Sequence, residues 1–142
     1  MRTLVVMMAA LVAVPAVATE VKPGKWQATM TIESMSMPGM PPEALAMMKG
    51  RPTTTTYCMT PEEAAADPKK LMDADSKCKF NRFSLAGGRM SAEMLCQTEQ
   101  GPATMVVDGT YTQTSYETRA TMKAGPMTMA SRNSARWLGP CK

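Results

Sequence analysis

The residues of this sequence whose types and spacing could do chemistry are four cysteines and a set of clustered methionines. The cysteines are Cys58, Cys78, Cys96 and Cys141. An even cysteine count in an exported chain is typical of a disulfide framework. Four cysteines allow three pairings and the sequence does not choose among them, although Cys58–Cys78 with Cys96–Cys141 is the simplest. A zinc site and a thioredoxin-like redox pair are disfavoured, because the chain has no C-x-x-C spacing and no histidine.

Methionine is unusually abundant, with 17 residues in the chain. Met35, Met37 and Met40 form an M-x-M-x-x-M cluster in a loop rich in proline, and Met127 and Met129 form M-x-M. Thioethers are soft ligands that select Cu(I), so one hypothesis is a Cu(I)-binding protein that uses these five residues.

Two other interpretations of the methionines stay open. Methionine fills irregular cores, and the strand alternation predicts that several methionines simply pack inward. These are Met30, Met90, Met94, Met105 and Met122. An exposed loop of Met and Pro is instead typical of an adaptable apolar surface, which could contact a protein partner or belong to a carrier of small apolar ligands.

The case for catalysis is weak. Without histidine there is no Ser-His or Cys-His pair. Glu62 and Glu63 are adjacent, so they do not face each other on a helix, and Glu63 fits a capping position. Asp73 and Asp75 lack the continuation of a calcium-binding loop. We predict that the protein is not an enzyme and needs no cofactor.

The N-terminus predicts export. Arg2 supplies a positive charge, residues 4–14 are apolar, and Ala16-Val17-Ala18 is a small-residue cleavage site. The apolar run is too short for a membrane span, which needs about 20 residues. We therefore predict a signal peptide over residues 1–18, a single disulfide-paired β domain over 19–142, no stable membrane span after cleavage, and a soluble periplasmic protein.

The charge pattern excludes one class of partner. The formal net charge is +4, but the basic residues are scattered and few aromatic residues lie among them. Nucleic-acid binding is therefore disfavoured, and a solvated surface is expected.

The elements that must position these residues are mostly strands. Apolar residues alternate with polar ones over 26–32, a Thr-rich run covers 53–59, and everything from residue 79 onward has strand character. Gly87-Gly88 is a hairpin turn, and Asp108-Gly109 is either a bulge or a turn. The pattern predicts a mostly β fold: an antiparallel meander of about seven strands that forms a small open or closed barrel, with one or two short helices.

The two helices have sequence signals of their own. Glu43 to Lys49 follows Pro42, which is tolerated in a first helical turn. Thr60 is an N-cap residue followed by Pro61, and Glu63 completes a capping box.

Five segments are distinctive together: Pro23-Gly24-Lys25-Trp26, Met37-Pro38-Gly39-Met40-Pro41, Cys58-Met59-Thr60-Pro61-Glu62-Glu63-Ala64, Asp67-Pro68, and Ala135-Arg136-Trp137-Leu138-Gly139-Pro140-Cys141. With these segments the chain resembles a known family, a domain of unknown function common in exported bacterial proteins. The resemblance implies an exported, cysteine-paired β domain, and it implies no activity. The polar Ser131–Ser134 stretch departs from the Met- and Thr-rich strand usual before this ending.

Overall fold

The alternation of apolar and polar residues corresponds to seven strands, and two short helices lie in the connections between them. A computed structural model describes residues 21–66, 77–99 and 101–142, so the predicted signal peptide at 1–18 lies outside the described residues. The strands are β1 (Gly24–Ser36), β2 (Pro52–Met59), β3 (Cys78–Ala86), β4 (Arg89–Thr98), β5 (Gly101–Tyr111), β6 (Ser115–Ala124) and β7 (Met127–Gly139). Helices α1 (Pro42–Met48) and α2 (Pro61–Ala65) lie between β1 and β2 and between β2 and β3.

The strands form one antiparallel sheet in the order β2-β1-β7-β6-β5-β4-β3. Strands β3 to β7 pair in sequence order, as predicted. The first strand then lies beside the last, and β2 completes the sheet on the other side of β1. The sheet is open between β2 and β3, its two edges, so the predicted fold class is confirmed in its open form.

The capping chemistry predicted for α2 is present. The Thr60 hydroxyl accepts a hydrogen bond from the Glu63 backbone N–H at 3.2 Å, and the Glu63 carboxylate accepts one from the Thr60 N–H at 2.8 Å. Pro61 occupies the first helical position. The capping box therefore starts the helix directly after β2.

The disulfide pairing differs from the simplest one. Cys78 bonds to Cys96, with Cα atoms 3.9 Å apart, and Cys58 bonds to Cys141, with Cα atoms 6.0 Å apart. The predicted Cys58–Cys78 and Cys96–Cys141 pairs are wrong, because they assumed that neighbours in sequence are neighbours in space. Hydrogen bonding of β7 to β1 brings the C-terminus to β2, while Cys78 and Cys96 are direct partners in the β3–β4 hairpin.

Direct pairing across the strands defines two faces. Residues opposite each other on adjacent antiparallel strands project to the same side. We call the side that carries Trp26, Met94 and Ala135 the methionine face and the side that carries Glu93 and Arg132 the charged face. The described residues that are most buried all belong to the methionine face: Trp26, Ala92, Met94, Ala103, Tyr111, Thr118, Ala124, Ser131 and Ala135.

Gly109 resolves the question about Asp108-Gly109. It lies inside β5, opposite Met90 on β4 and Thr118 on β6, and both registers run through it without a shift, so it is neither a turn nor a bulge. A Cβ atom there would collide with the Glu117 carbonyl oxygen and with Thr118. The glycine therefore permits the close approach of β5 and β6 on the methionine face.

Candidate functional site

The two faces of the sheet differ completely in charge. Every charged residue of the seven strands lies on the charged face, as the strand registers show. These residues are Lys25, Glu33, Lys79, Arg82, Arg89, Glu93, Asp108, Glu117, Arg119, Lys123, Arg132 and Arg136. The methionine face of the strands has none.

Five methionines form a continuous row across the methionine face. Met35 of β1 is opposite Met129 of β7, Met129 is opposite Met122 of β6, and the row continues through Met105 of β5 to Met94 of β4. Phe80 of β3 is the next direct partner. Met94 is 4% exposed, and the other four are half-buried. Thioether side chains from five adjacent strands therefore lie next to one another, and all but that of Met94 are within reach of solvent. We call these five residues the methionine row.

A β-bulge brings Met35 into the methionine row. The register of β1 against β7 shifts between Ile32 and Ser34, so Glu33 is the extra residue. Under strict alternation Ile32 and Met35 would point to opposite faces. Because the bulge adds one residue, both lie on the methionine face, and the carboxylate of Glu33 lies on the other side. Bulges commonly re-aim a side chain in this way.

Aromatic side chains fill the opposite end of the methionine face. The rings of Trp26 on β1 and Tyr116 on β6 stack with centroids 6.3 Å apart, although β7 runs between those strands. Tyr57 of β2 lies close enough to Tyr116 for that phenol to raise the pKa of Tyr57. Contacts between strands that are not neighbours indicate that this end of the face is concave.

Tyr57 is the one described residue whose titration is clearly perturbed. Burial, and to a lesser extent the nearby Tyr116, raises its pKa from 10.0 to about 12. Both effects favour the neutral phenol. Tyr57 is therefore held as a hydrogen-bonding group and is not prepared to act as a base.

The charged face contains ion pairs and shallow polar grooves. Glu33 lies between Arg119, at 2.7 Å, and Arg132, at 3.4 Å, and both arginines are largely exposed. One groove, of about 530 Å³, is lined mainly by Thr, Ser and Gln side chains. Its Arg136 guanidinium donates to Gln27 Oε1 at 2.9 and 3.1 Å. Solvated pairs of this kind are typical of an exposed protein surface.

The five methionines of the predicted Cu(I) site do not all lie together. The structure brings Met35 and Met129 together, but places Met127 opposite Ala124, one position along the methionine face. Met37 and Met40 lie in the loop after β1, where the Met40 N–H donates to the Met37 carbonyl at 3.3 Å. The methionines that join Met35 and Met129 are ones that the sequence assigned to packing, namely Met94, Met105 and Met122. Only the register of five strands reveals the row, and no local motif does.

Within residues 21–66, 77–99 and 101–142, no three His, Cys, Asp or Glu side chains cluster closely enough to hold a metal ion. No helix in the same ranges has the length and apolar character needed to cross a membrane.

The start of β1, with the residues just before it, meets the end of β7 in one corner of the sheet. The Trp26 indole donates to the Lys22 carbonyl at 3.0 Å, and the Trp137 indole donates to the Pro23 carbonyl at 3.1 Å. The Lys22 ammonium lies 5.1 Å from the centre of the Trp137 ring, a cation–π contact. Gly24 has no room for a Cβ atom, which would collide with the Trp137 indole nitrogen.

Comparison with known proteins identifies the family and nothing more specific. The sequence model of DUF3617, described as a protein of unknown function, matches residues 21–141. The chain therefore belongs to the DUF3617 family. No curated protein and no solved structure matches it. The residues that carried the resemblance at the two chain ends, Trp26 and Trp137 among them, are those that build the corner just described.

Proposed function

We propose that this DUF3617 domain is an exported, non-enzymatic binding module that holds a long apolar chain, such as a fatty acyl group, on its methionine face. The observation that carries the proposal is the segregation of charge: every charged residue of the strands lies on the other face. A large uncharged face that is only half-buried is typical of a binding surface for an apolar molecule.

The shape of the methionine face favours a slender ligand. Trp26 contacts Tyr116 across an intervening strand, and Tyr57 reaches Tyr116 from the edge strand, so the surface is concave. Two concave faces cannot pack closely against each other, which disfavours a face-to-face dimer. An extended acyl chain would fit along such a surface.

The methionine row supplies a suitable path. The path from Met35 through the methionine row to Phe80 crosses six strands. At roughly 4.8 Å between neighbouring strands, this path spans about 24 Å. This length is comparable to that of a long fatty acyl chain. Methionine side chains are flexible and polarisable, so they adapt to apolar ligands that differ in shape.

The proposal that the domain is not an enzyme is supported by its chemistry. The sequence contains no histidine, and all cysteines in the described part of the chain are in disulfides. The raised pKa of Tyr57 leaves that phenol neutral at physiological pH. These residues offer no activated nucleophile paired with a base.

The proposal of export to the periplasm is supported by two features. The two disulfides are typical of an oxidising compartment, and residues 1–18 have the pattern of a signal peptide. N-terminal sequencing of the protein recovered from a periplasmic extract should read from Thr19. An N-terminus at Met1 would contradict this part of the proposal.

The binding proposal is tested by titration of the purified domain with fatty acids of decreasing length, in competition with a fluorescent fatty acid. Burial of each methylene contributes about 0.8 kcal/mol, so affinity should fall about fourfold for each carbon removed. An affinity that does not depend on chain length would contradict the proposal.

Adjacent residues of β5 provide a matched pair of variants. Met105 belongs to the methionine row, whereas Val106 is 37% exposed on the charged face. Met105→Lys should abolish fatty-acid binding and Val106→Lys should preserve it, with circular dichroism to verify that each variant folds. If Met105→Lys does not fold, Met105→Gln offers a polar group without a charge. Equal binding by the row variant and Val106→Lys would overturn the assignment of the face.

A further inference from the structure

We propose that the methionine row also contains a binding site for one soft monovalent metal ion, Cu(I), whose ligands are the thioethers of Met35, Met122 and Met129. The site is independent of the acyl-chain proposal, because it rests on the chemistry of three sulfur atoms rather than on the apolar area of the face.

The strand register places the three methionines side by side. Met129 on β7 has Met35 directly opposite on one side and Met122 directly opposite on the other. Cβ atoms of directly opposed residues are about 4.5–5.5 Å apart. A methionine side chain extends beyond its Cβ through three rotatable bonds, so three neighbouring thioethers can converge on a single ion.

The bulge at Glu33 is needed for this arrangement. Without the extra residue, Met35 would lie on the charged face, and Met129 would have a thioether neighbour on β6 only. The bulge therefore creates the three-methionine arrangement. Bulges are found next to functional sites, where they re-aim a side chain.

The chemical character of the methionine face determines which ion the site would select. No charged residue lies on this face of the strands, and the three side chains are half-buried, hence reachable from solvent. Hard ions such as Ca²⁺ and Mg²⁺ require oxygen ligands. Neutral thioethers select soft ions, and Cu(I) is the physiological ion of that class.

The test uses the whole mature domain with its disulfides intact. Ag(I) serves as the probe because it is a soft monovalent ion that needs no reductant, and Cu(I) with a competing chelator follows. We expect one ion per chain with affinity tighter than micromolar. The methyl NMR signals of Met35, Met122 and Met129 should shift more than those of the other methionines, and this measurement needs no variant.

A triple substitution gives the matched comparison. Met35→Leu, Met122→Leu and Met129→Leu together should weaken Ag(I) and Cu(I) binding by at least about 100-fold, because three ligands are lost. The control triple, Met30→Leu, Met47→Leu and Met90→Leu, removes the same number of thioethers outside the row and should leave affinity unchanged. Met-to-Leu changes nearly conserve volume, so both proteins should fold.

Three outcomes would overturn the metal site: wild-type affinity weaker than micromolar, equal loss in both triples, or methyl shifts spread evenly over all methionines. Fatty-acid binding decides separately. If the domain binds fatty acids but not Ag(I), the metal site is rejected and the acyl-chain proposal stands; the reverse result rejects only the acyl-chain proposal.

Discussion

The methionine face and the charged face are formed by the same strands, yet one presents apolar side chains and the other presents charged side chains to water. On the charged face, Glu33 meets Arg119 and Arg132 among exposed side chains, and water can satisfy every group. On the methionine face the largest side chains contact one another across strands, as Trp26 and Tyr116 do, but four of the five methionines in the row remain half-buried. The charged face needs no partner in water, whereas the methionine face leaves apolar surface that a ligand could cover.

Within the methionine face, we expect stability and binding to depend on different ends. Its aromatic end is tightly packed, with Trp26 only 1% exposed. Its methionine row consists of flexible side chains at the far ends of β1, β6 and β7 and their neighbours. We expect substitutions at the aromatic end to affect folding and substitutions in the row to affect binding.

The largest expected effect comes from the aromatic end. Trp26→Ala removes a fully buried ring and should lower the free energy of unfolding by about 3–5 kcal/mol. Thr31→Ala, on the same strand but on the charged face, should change it by about 0.5 kcal/mol or less. Urea denaturation measures both. Similar losses for the two variants would mean that the faces do not differ in their contribution to stability.

The hydroxyl of Tyr57 provides a test at alkaline pH. Its pKa is raised from 10.0 to about 12 in the folded protein. Between these values the unfolded chain has released the proton and the folded chain retains it, so ionisation favours unfolding as pH rises. The contribution is fully present below pH 10 and lost as pH approaches 12. Since Tyr57 is only half-buried, we expect an effect on the order of 1 kcal/mol.

Tyr57→Phe isolates this contribution. Urea denaturation of the variant should show a shallower decline in stability between pH 10 and 12 than that of the wild type. An identical decline in both proteins would show that other groups cause the alkaline loss.

The smallest effect is expected on the charged face. Glu33→Gln removes the ion pairs with Arg119 and Arg132 and should cost about 1 kcal/mol or less, because both arginines are solvated. The cost should shrink as salt is added, which denaturation at low and high ionic strength measures. A large cost that does not depend on salt would mean that the bulge itself needs the carboxylate.

Local sequence patterns were sufficient to predict the elements. Period-two alternation predicted the strands, Gly87-Gly88 predicted the β3–β4 turn, and Thr60 with Glu63 predicted the cap of α2. Each of these signals acts over a few residues. The strand count and the antiparallel class followed from them.

The features that the sequence did not predict depend on contacts between distant segments. Hydrogen bonding of β1 to β7 determines that Cys58 bonds to Cys141, and nothing near either cysteine indicates it. The methionine row likewise requires the registers of five strands and one bulge. Met122 looked like ordinary packing because its neighbours Met105 and Met129 become adjacent to it only through the registers of β5 and β7 against β6.

The position of β1 between β2 and β7 has a consequence for how the domain folds. If the corner where Lys25 pairs with Gly139 were joined by a linker and the chain were opened between α2 and β3, strand order in the sheet would equal strand order in the chain. Every strand would then pair with its neighbour in sequence. Such a circular permutant would have a much lower contact order. We therefore expect it to fold faster than the natural chain, in which β1 must pair with the distant β7.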